Sequence, residues 1–238
     1  MSCCIDIFGD SIMKGIVLET GRYRTLQSPN FALFAERFQV RINNCSHFGY
    51  TVRKGAALLQ RALTRGRGGE IALLEYGGND CDFDWKAIAQ NPEGEHQPKT
   101  PPEEFCALYA ELVRTLQSRG VLVVLMTLPP IDAERYLNWV APDEAERRSI
   151  LRWLGDVQVI YRFQEMYSGL VSRVAAETGA LLADIRPSFL QRHDARALLC
   201  SDGIHPNEAG HQVIFEALCA FGERHLRGGL LRAQNAAH

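Results

Sequence analysis

The feature that most constrains this chain is the regular return of short apolar runs, each followed by a stretch of helical periodicity. Residues 3–8, 39–44, 70–76 and 121–126 read as strands, and 180–184 as a short fifth. The run at 70–76 is almost continuously apolar, as expected of a strand covered on both faces. Between the strands, residues 30–38, 52–64, 102–119 and 157–178 carry apolar side chains along one helical face. Ser28-Pro29-Asn30 is a start signal for the first of these helices, and 206–226 reads as a closing helix with Pro206 in its first turn. Strands joined by helical crossovers call for a parallel sheet, because right-handed βαβ units cover both faces. The expected fold class is α/β.

A chain of 238 residues suffices for one such domain, and residues 1–238 are read as a single unit. Two stretches, 82–101 and 129–155, break the alternation. Both are rich in aromatics, among them Phe83, Trp85, Tyr136, Trp139 and Trp153, and both read as excursions over one end of the sheet. No apolar run approaches the roughly 20 residues of a membrane span, and the 46% apolar and 23% charged fractions are those of a water-soluble globule. A net charge of -2 with a pI near 6.4 supplies no broad footprint for nucleic acid or anionic lipid. The seven cysteines are odd in number, scattered, and contain no CxxC pair, so neither a disulfide framework nor a structural zinc site is expected. The start Met1-Ser2-Cys3-Cys4-Ile5-Asp6 has no basic region followed by a long apolar one, so a reduced, cytoplasmic chain is expected.

In a parallel sheet, ligands collect beyond the carboxyl ends of the strands. Four loops should meet there. The first strand runs into Gly9-Asp10-Ser11, a turn able to lift a serine hydroxyl clear of the sheet edge. The second leads to a turn containing His47 and Gly49, the third to Gly77-Gly78-Asn79-Asp80, and the fifth, after a longer connection, to Cys200–Pro206. Asp202 lies three residues before His205, with Gly203 between them to allow a tight turn. That spacing lets the carboxylate hold imidazole Nδ1 and leaves Nε2 free as a base. Ser11, His205 and Asp202 thus make a nucleophile, base and orienter. The backbone N–H groups of Ser11 and Gly49 and the Asn79 amide are donors for a developing oxyanion. Asp10 and Asp80 read chiefly as groups that hydrogen-bond their turns. With His47, Phe83, Trp85 and Tyr136 they complete the candidate pocket.

Taken together, GDS at 9–11, the lone Gly49, GxND at 77–80 and DxxH at 202–205 resemble the four blocks of the SGNH hydrolases, also called the GDSL esterase and lipase family. The blocks occur in order along nearly the whole chain, although Ile12 and Met13 depart from the residues that commonly follow GDS. The resemblance implies a flavodoxin-like three-layer α/β/α sandwich whose five-stranded parallel sheet has strand order 2-1-3-4-5. It also implies a Ser11 nucleophile, a His205 base oriented by Asp202, an oxyanion hole from Ser11, Gly49 and Asn79, and no cofactor. The expected activity is hydrolysis of a short acyl or acetyl ester of a small molecule or sugar through an acyl-enzyme. The alternative is a non-catalytic carbohydrate- or ligand-binding module on the same scaffold, which would have no use for a positioned base. A flavodoxin-like cofactor binder is disfavoured, because Asp10 puts a carboxylate where a phosphate would sit.

Overall fold

The computed structural model describes residues 3–28, 30–64 and 68–226. Met1 and Ser2 of the N-terminal reading and Pro29 of the helix start signal lie outside the described residues. In chain order the strands are β1 (Cys4–Gly9), β2 (Ile16–Glu19), β3 (Arg22–Thr25), β4 (Arg41–Asn44), β5 (Ile71–Glu75), β6 (Leu122–Met126) and β7 (Leu181–Ala183). The helices are α1 (Asn30–Phe38), α2 (Val52–Thr64), α3 (Trp85–Gln90), α4 (Pro102–Gln117), α5 (Ala133–Val140), α6 (Glu144–Leu154), α7 (Gln158–Thr178), α8 (Arg186–Leu190) and α9 (Glu208–His225).

Five strands form one sheet in the order β4-β1-β5-β6-β7, and every neighbouring pair is parallel. Counted among these five alone, the order is second, first, third, fourth, fifth, as the resemblance implied. The alternation of side chains along a strand explains why the central runs are apolar throughout. On β5, Ala72 and Leu74 face a core completed by α2, α4 and α7, where Leu59, Phe105, Tyr109 and Val171 are buried. Ile71 and Leu73 face the opposite core beneath α1 and α9, with Val213, Ile214 and Phe221. Each such Leu, Ile, Val or Phe side chain, removed from water, contributes about 1.5–3 kcal/mol.

Three features were not expected. Ile16–Thr25 folds into an antiparallel hairpin, β2 on β3, turning through Thr20 (φ 48°) and Gly21 (φ 76°). Both positive angles match the tight hairpin turn whose twist suits its strands. The two excursions are helical and share one core: Phe83, Trp85 and Ile88 pack with Tyr136, Leu137, Ile150 and Leu154. The closing helix begins later than read, because Asn207 caps it by accepting from the N–H of Gly210 (3.1 Å), which leaves Pro206 in the preceding loop.

Candidate active site

β1 ends at Gly9, and the chain turns at once. Asp10 Oδ1 accepts the N–H of Ile12 (2.8 Å), and Ser11 C=O accepts that of Ile16 (2.9 Å), so the hydroxyl-bearing residue is held from both sides. On the far side, the loop before α9 closes on itself: Cys200 N–H donates to His205 C=O (2.8 Å) and Gly203 N–H to Cys200 C=O (3.1 Å). Gly203 adopts φ +77°, and a Cβ there would stand 2.6 Å from the carbonyl oxygen of Asp132. Only glycine fits this turn.

The turn aims Asp202 at His205. Asp202 Oδ1 accepts the N–H groups of Ile204 and His205 (3.1 Å each), while Oδ2 lies 2.7 Å from His205 Nδ1. His205 Nε2 lies 2.9 Å from Ser11 Oγ. Burial by itself would raise the Asp202 carboxyl, but the hydrogen bonds from the imidazole and from those N–H groups outweigh it and hold the group below its ordinary value. An ionised Asp202 only accepts, so Nδ1 carries the ring proton and Nε2 is left to accept from the serine hydroxyl. The arrangement can move a proton from Ser11 onto His205 without rearrangement. All three residues are buried, and the line is covered by Tyr23, whose ring centroid is 5.1 Å from that of His205, and by Phe48, nearly parallel to the imidazole at 5.8 Å.

Ser11, Gly49 and Asn79 line the same cleft, a cavity of about 240 Å³. Gly49 has φ +71°, which a side chain would strain. The Asn79 amide donates to Asp10 Oδ2 (2.8 Å) and to the Tyr50 carbonyl (3.1 Å).

Of the remaining pocket candidates, Asp10, Phe83, Trp85 and Tyr136 line this cleft, whereas His47 and Asp80 do not. His47 packs its ring on Tyr50 (4.6 Å between centroids), because the turn that presents Gly49 directs the residue two before it away from the opening. Asp80 is fully buried and accepts the N–H of Val52 with both oxygens (3.0 and 3.1 Å), tying the start of α2 to the third loop. That burial raises its carboxyl to about 7, partly offset by the hydrogen bonds it accepts.

Sequence reasoning missed several contributors. Tyr23 comes from the unforeseen hairpin, and with Phe48 and Trp139 it forms a half-exposed aromatic rim (centroids 5.1 and 6.1 Å from Tyr23). Asp82 joins the excursions, accepting from Tyr136 Oη–H (2.7 Å), Trp85 Nε1–H (2.8 Å) and Lys99 Nζ (2.6 Å). Gly21, breaking the chain just after the apolar run Ile16–Leu18, was a readable turn signal for the hairpin. Nothing local marked Asp82. Among the described residues, no group of three His, Cys, Asp or Glu side chains is arranged to hold a metal ion.

The profile of the GDSL-like Lipase/Acylhydrolase family matches residues 7–213 of the chain. The chain belongs to that family. As a GDSL-like lipase/acylhydrolase it is a carboxylic ester hydrolase by membership. A search of curated protein sequences returns no match. Among solved structures, it is similar to an alpha/beta hydrolase enzyme from the metagenome of Lake Arreo, Spain, at 27% identity and TM-score 0.61, over 92% of this chain and 94% of that one. It also shares the fold of a lipase/acylhydrolase from Enterococcus faecalis (17% identity, TM-score 0.60, 98% of this chain and 97% of that one). A further structure with this fold is an acetylxylan esterase from Geobacillus stearothermophilus (20% identity, TM-score 0.63, 91% of this chain and 92% of that one).

Proposed function

We propose that this GDSL-family hydrolase cleaves short acyl or acetyl esters of a small molecule or sugar through an acyl-enzyme on Ser11. The observation that carries the reading is the unbroken hydrogen-bond line from Ser11 Oγ to His205 Nε2 (2.9 Å) and from Nδ1 to Asp202 (2.7 Å). Ser11 Oγ attacks the ester carbonyl as its proton passes to His205, and Asp202 stabilises the imidazolium that forms. Collapse of the tetrahedral intermediate transfers that proton to the departing alkoxide. Water, deprotonated by the same imidazole, then attacks the acyl-serine and releases the acid and the free hydroxyl.

Negative charge on the former carbonyl oxygen is met by the N–H groups of Ser11 and Gly49 and by the Asn79 amide. One Asn79 hydrogen stays on Asp10. The other competes between the neutral Tyr50 carbonyl and a charged oxyanion, and charge-assisted bonds are about twice as strong. The cleft walls, Phe83, Trp85 and Tyr136 among them, are apolar surfaces for a small acyl group, and the Tyr23–Phe48–Trp139 rim offers flat faces to the alcohol. The structural neighbour described as an acetylxylan esterase agrees with an acetylated carbohydrate as one member of this class. An odd number of scattered cysteines with no CxxC pair suits a reducing, cytoplasmic setting.

The test is hydrolysis of p-nitrophenyl acetate and butyrate. Wild-type protein should turn both over, and Ser11→Ala should lower kcat by at least about 10³. Equal rates would reject the assignment.

A further inference from the structure

Beneath the oxyanion-hole residues lies a group that the reaction above does not use. Glu75, the last residue of β5, is wholly buried. Its Oε2 accepts the N–H of Asp10 (3.2 Å) and packs so close to β1 that a Cβ at residue 9 would stand 2.9 Å from it. Its Oε1 is sealed from solvent and makes no well-formed hydrogen bond among the described residues, although the Met13 N–H faces the carboxyl. The Asp10 carboxyl is within hydrogen-bonding reach of Glu75, itself 1% exposed, and both its oxygens already accept N–H groups: Oδ1 from Ile12, Oδ2 from Asn79. Neither acid forms an ion pair with a Lys or Arg among the described residues. A buried carboxylate oxygen without a well-formed hydrogen bond is strongly disfavoured, and two facing carboxylates would add their mutual repulsion. A single proton removes both penalties. Because each Asp10 oxygen accepts a well-formed hydrogen bond while Glu75 Oε1 accepts none, that proton belongs on Glu75.

Resting on the oxyanion-hole role given to Asn79 above, we propose that Glu75 is a positioning residue: its protonated carboxyl donates to Asp10, and the Asp10 carboxylate so anchored fixes the Asn79 amide toward the reacting oxygen. Burial pushes both acids above the usual carboxyl range, and the neighbouring Asp10 charge lifts Glu75 further. The other titratable groups facing the pair are Asp80, His205, the buried Cys81 thiol and the buried phenols of Tyr76 and Tyr109. As pH rises until Glu75 ionises, the donor is lost, the two carboxylates repel, and the amide loses its anchor.

The variants are Glu75→Gln, whose amide N–H replaces the acid O–H, and Glu75→Leu, which has the bulk and no donor. With p-nitrophenyl butyrate, Glu75→Leu should lower kcat by about 10-fold or more with KM nearly unchanged, as for a weakened oxyanion donor. Glu75→Gln should stay within about threefold of wild type and lose the wild-type decline of kcat at alkaline pH, since an amide does not titrate. Glu75→Leu should add little to Asn79→Ala if one acts through the other. Infrared difference spectra between wild type and Glu75→Gln give a readout independent of turnover. At about pH 8, above the value of about 7 for Asp80, the wild type should show the C=O stretch of a protonated carboxyl that the variant lacks. If Glu75→Leu does not fold, Glu75→Gln and the spectra decide. A Glu75→Gln enzyme as impaired as Ser11→Ala, no protonated-carboxyl band, or effects of Glu75→Leu and Asn79→Ala that multiply would overturn the proposal. An inactive wild type that still shows the band would count against the esterase reading alone.

Discussion

Asp80 and Glu75 are both acids buried at the carboxyl end of β5, and their different surroundings give them different tasks. Asp80 serves the backbone, holding the Val52 N–H at the start of α2 and so the turn that carries Gly49. Its folded-state value of about 7 exceeds that of an unfolded aspartate, roughly 4. The native state therefore keeps a proton that the unfolded chain releases between about pH 4 and 7. This contribution to stability is full below that window, is lost as pH rises through it, and is flat above. Asp80→Asn, which still offers an oxygen to Val52, removes the slope. Relative to wild type its Tm should improve from pH 5 to pH 8, and a constant difference would contradict the assignment. Ser11, Asp202 and His205 could be singled out from residue type and from the turns that carry them, and the structure brings their side chains together. From sequence Asp80 reads as a hydrogen-bonding group but also counts in the pocket, which it does not line, and Glu75 is passed over, because a carboxyl's role depends on what faces it. For Glu75 that partner, Asp10, is 65 residues away.

The site is walled by elements that differ in how openly the sequence announces them. The helices over the sheet carry strong amphipathic patterns, and α4 and α7 fall within a few residues of their expected ends. The helices of the excursions are short and lie among Pro92, Pro98, Pro129, Pro130 and Pro142, so 82–101 and 129–155 read as excursions without helices of their own. Their shared core is a tertiary fact that periodicity cannot carry. Asp82 fastens α3 to α5 through Trp85 and Tyr136 and sets that wall of the cleft. Tyr136→Phe removes the hydrogen bond donated to Asp82 (2.7 Å) and the longer one accepted from Trp85 Nε1 (3.3 Å), and should cost about 1–3 kcal/mol in urea unfolding. KM for the butyrate ester should rise as the wall loosens. An unchanged unfolding midpoint would show that the phenol does not brace these helices.

At the scale of the molecule, the parallel sheet was the most legible feature, because near-continuous apolar strands alternating with amphipathic helices admit few other architectures. The sheet also gives the site its reach: the Ser11 and His205 side chains meet across 194 residues of sequence because β1 is an interior strand and the loop before α9 returns to its carboxyl end. Among the described residues, no helix is long and apolar enough to cross a membrane. Covalent capture by a fluorophosphonate probe, located by peptide mass spectrometry, identifies the nucleophile without reference to any substrate. One adduct is expected, on Ser11, formed far more slowly by His205→Ala and absent from Ser11→Ala. An adduct on another residue, or ester hydrolysis that persists in Ser11→Ala, would contradict it.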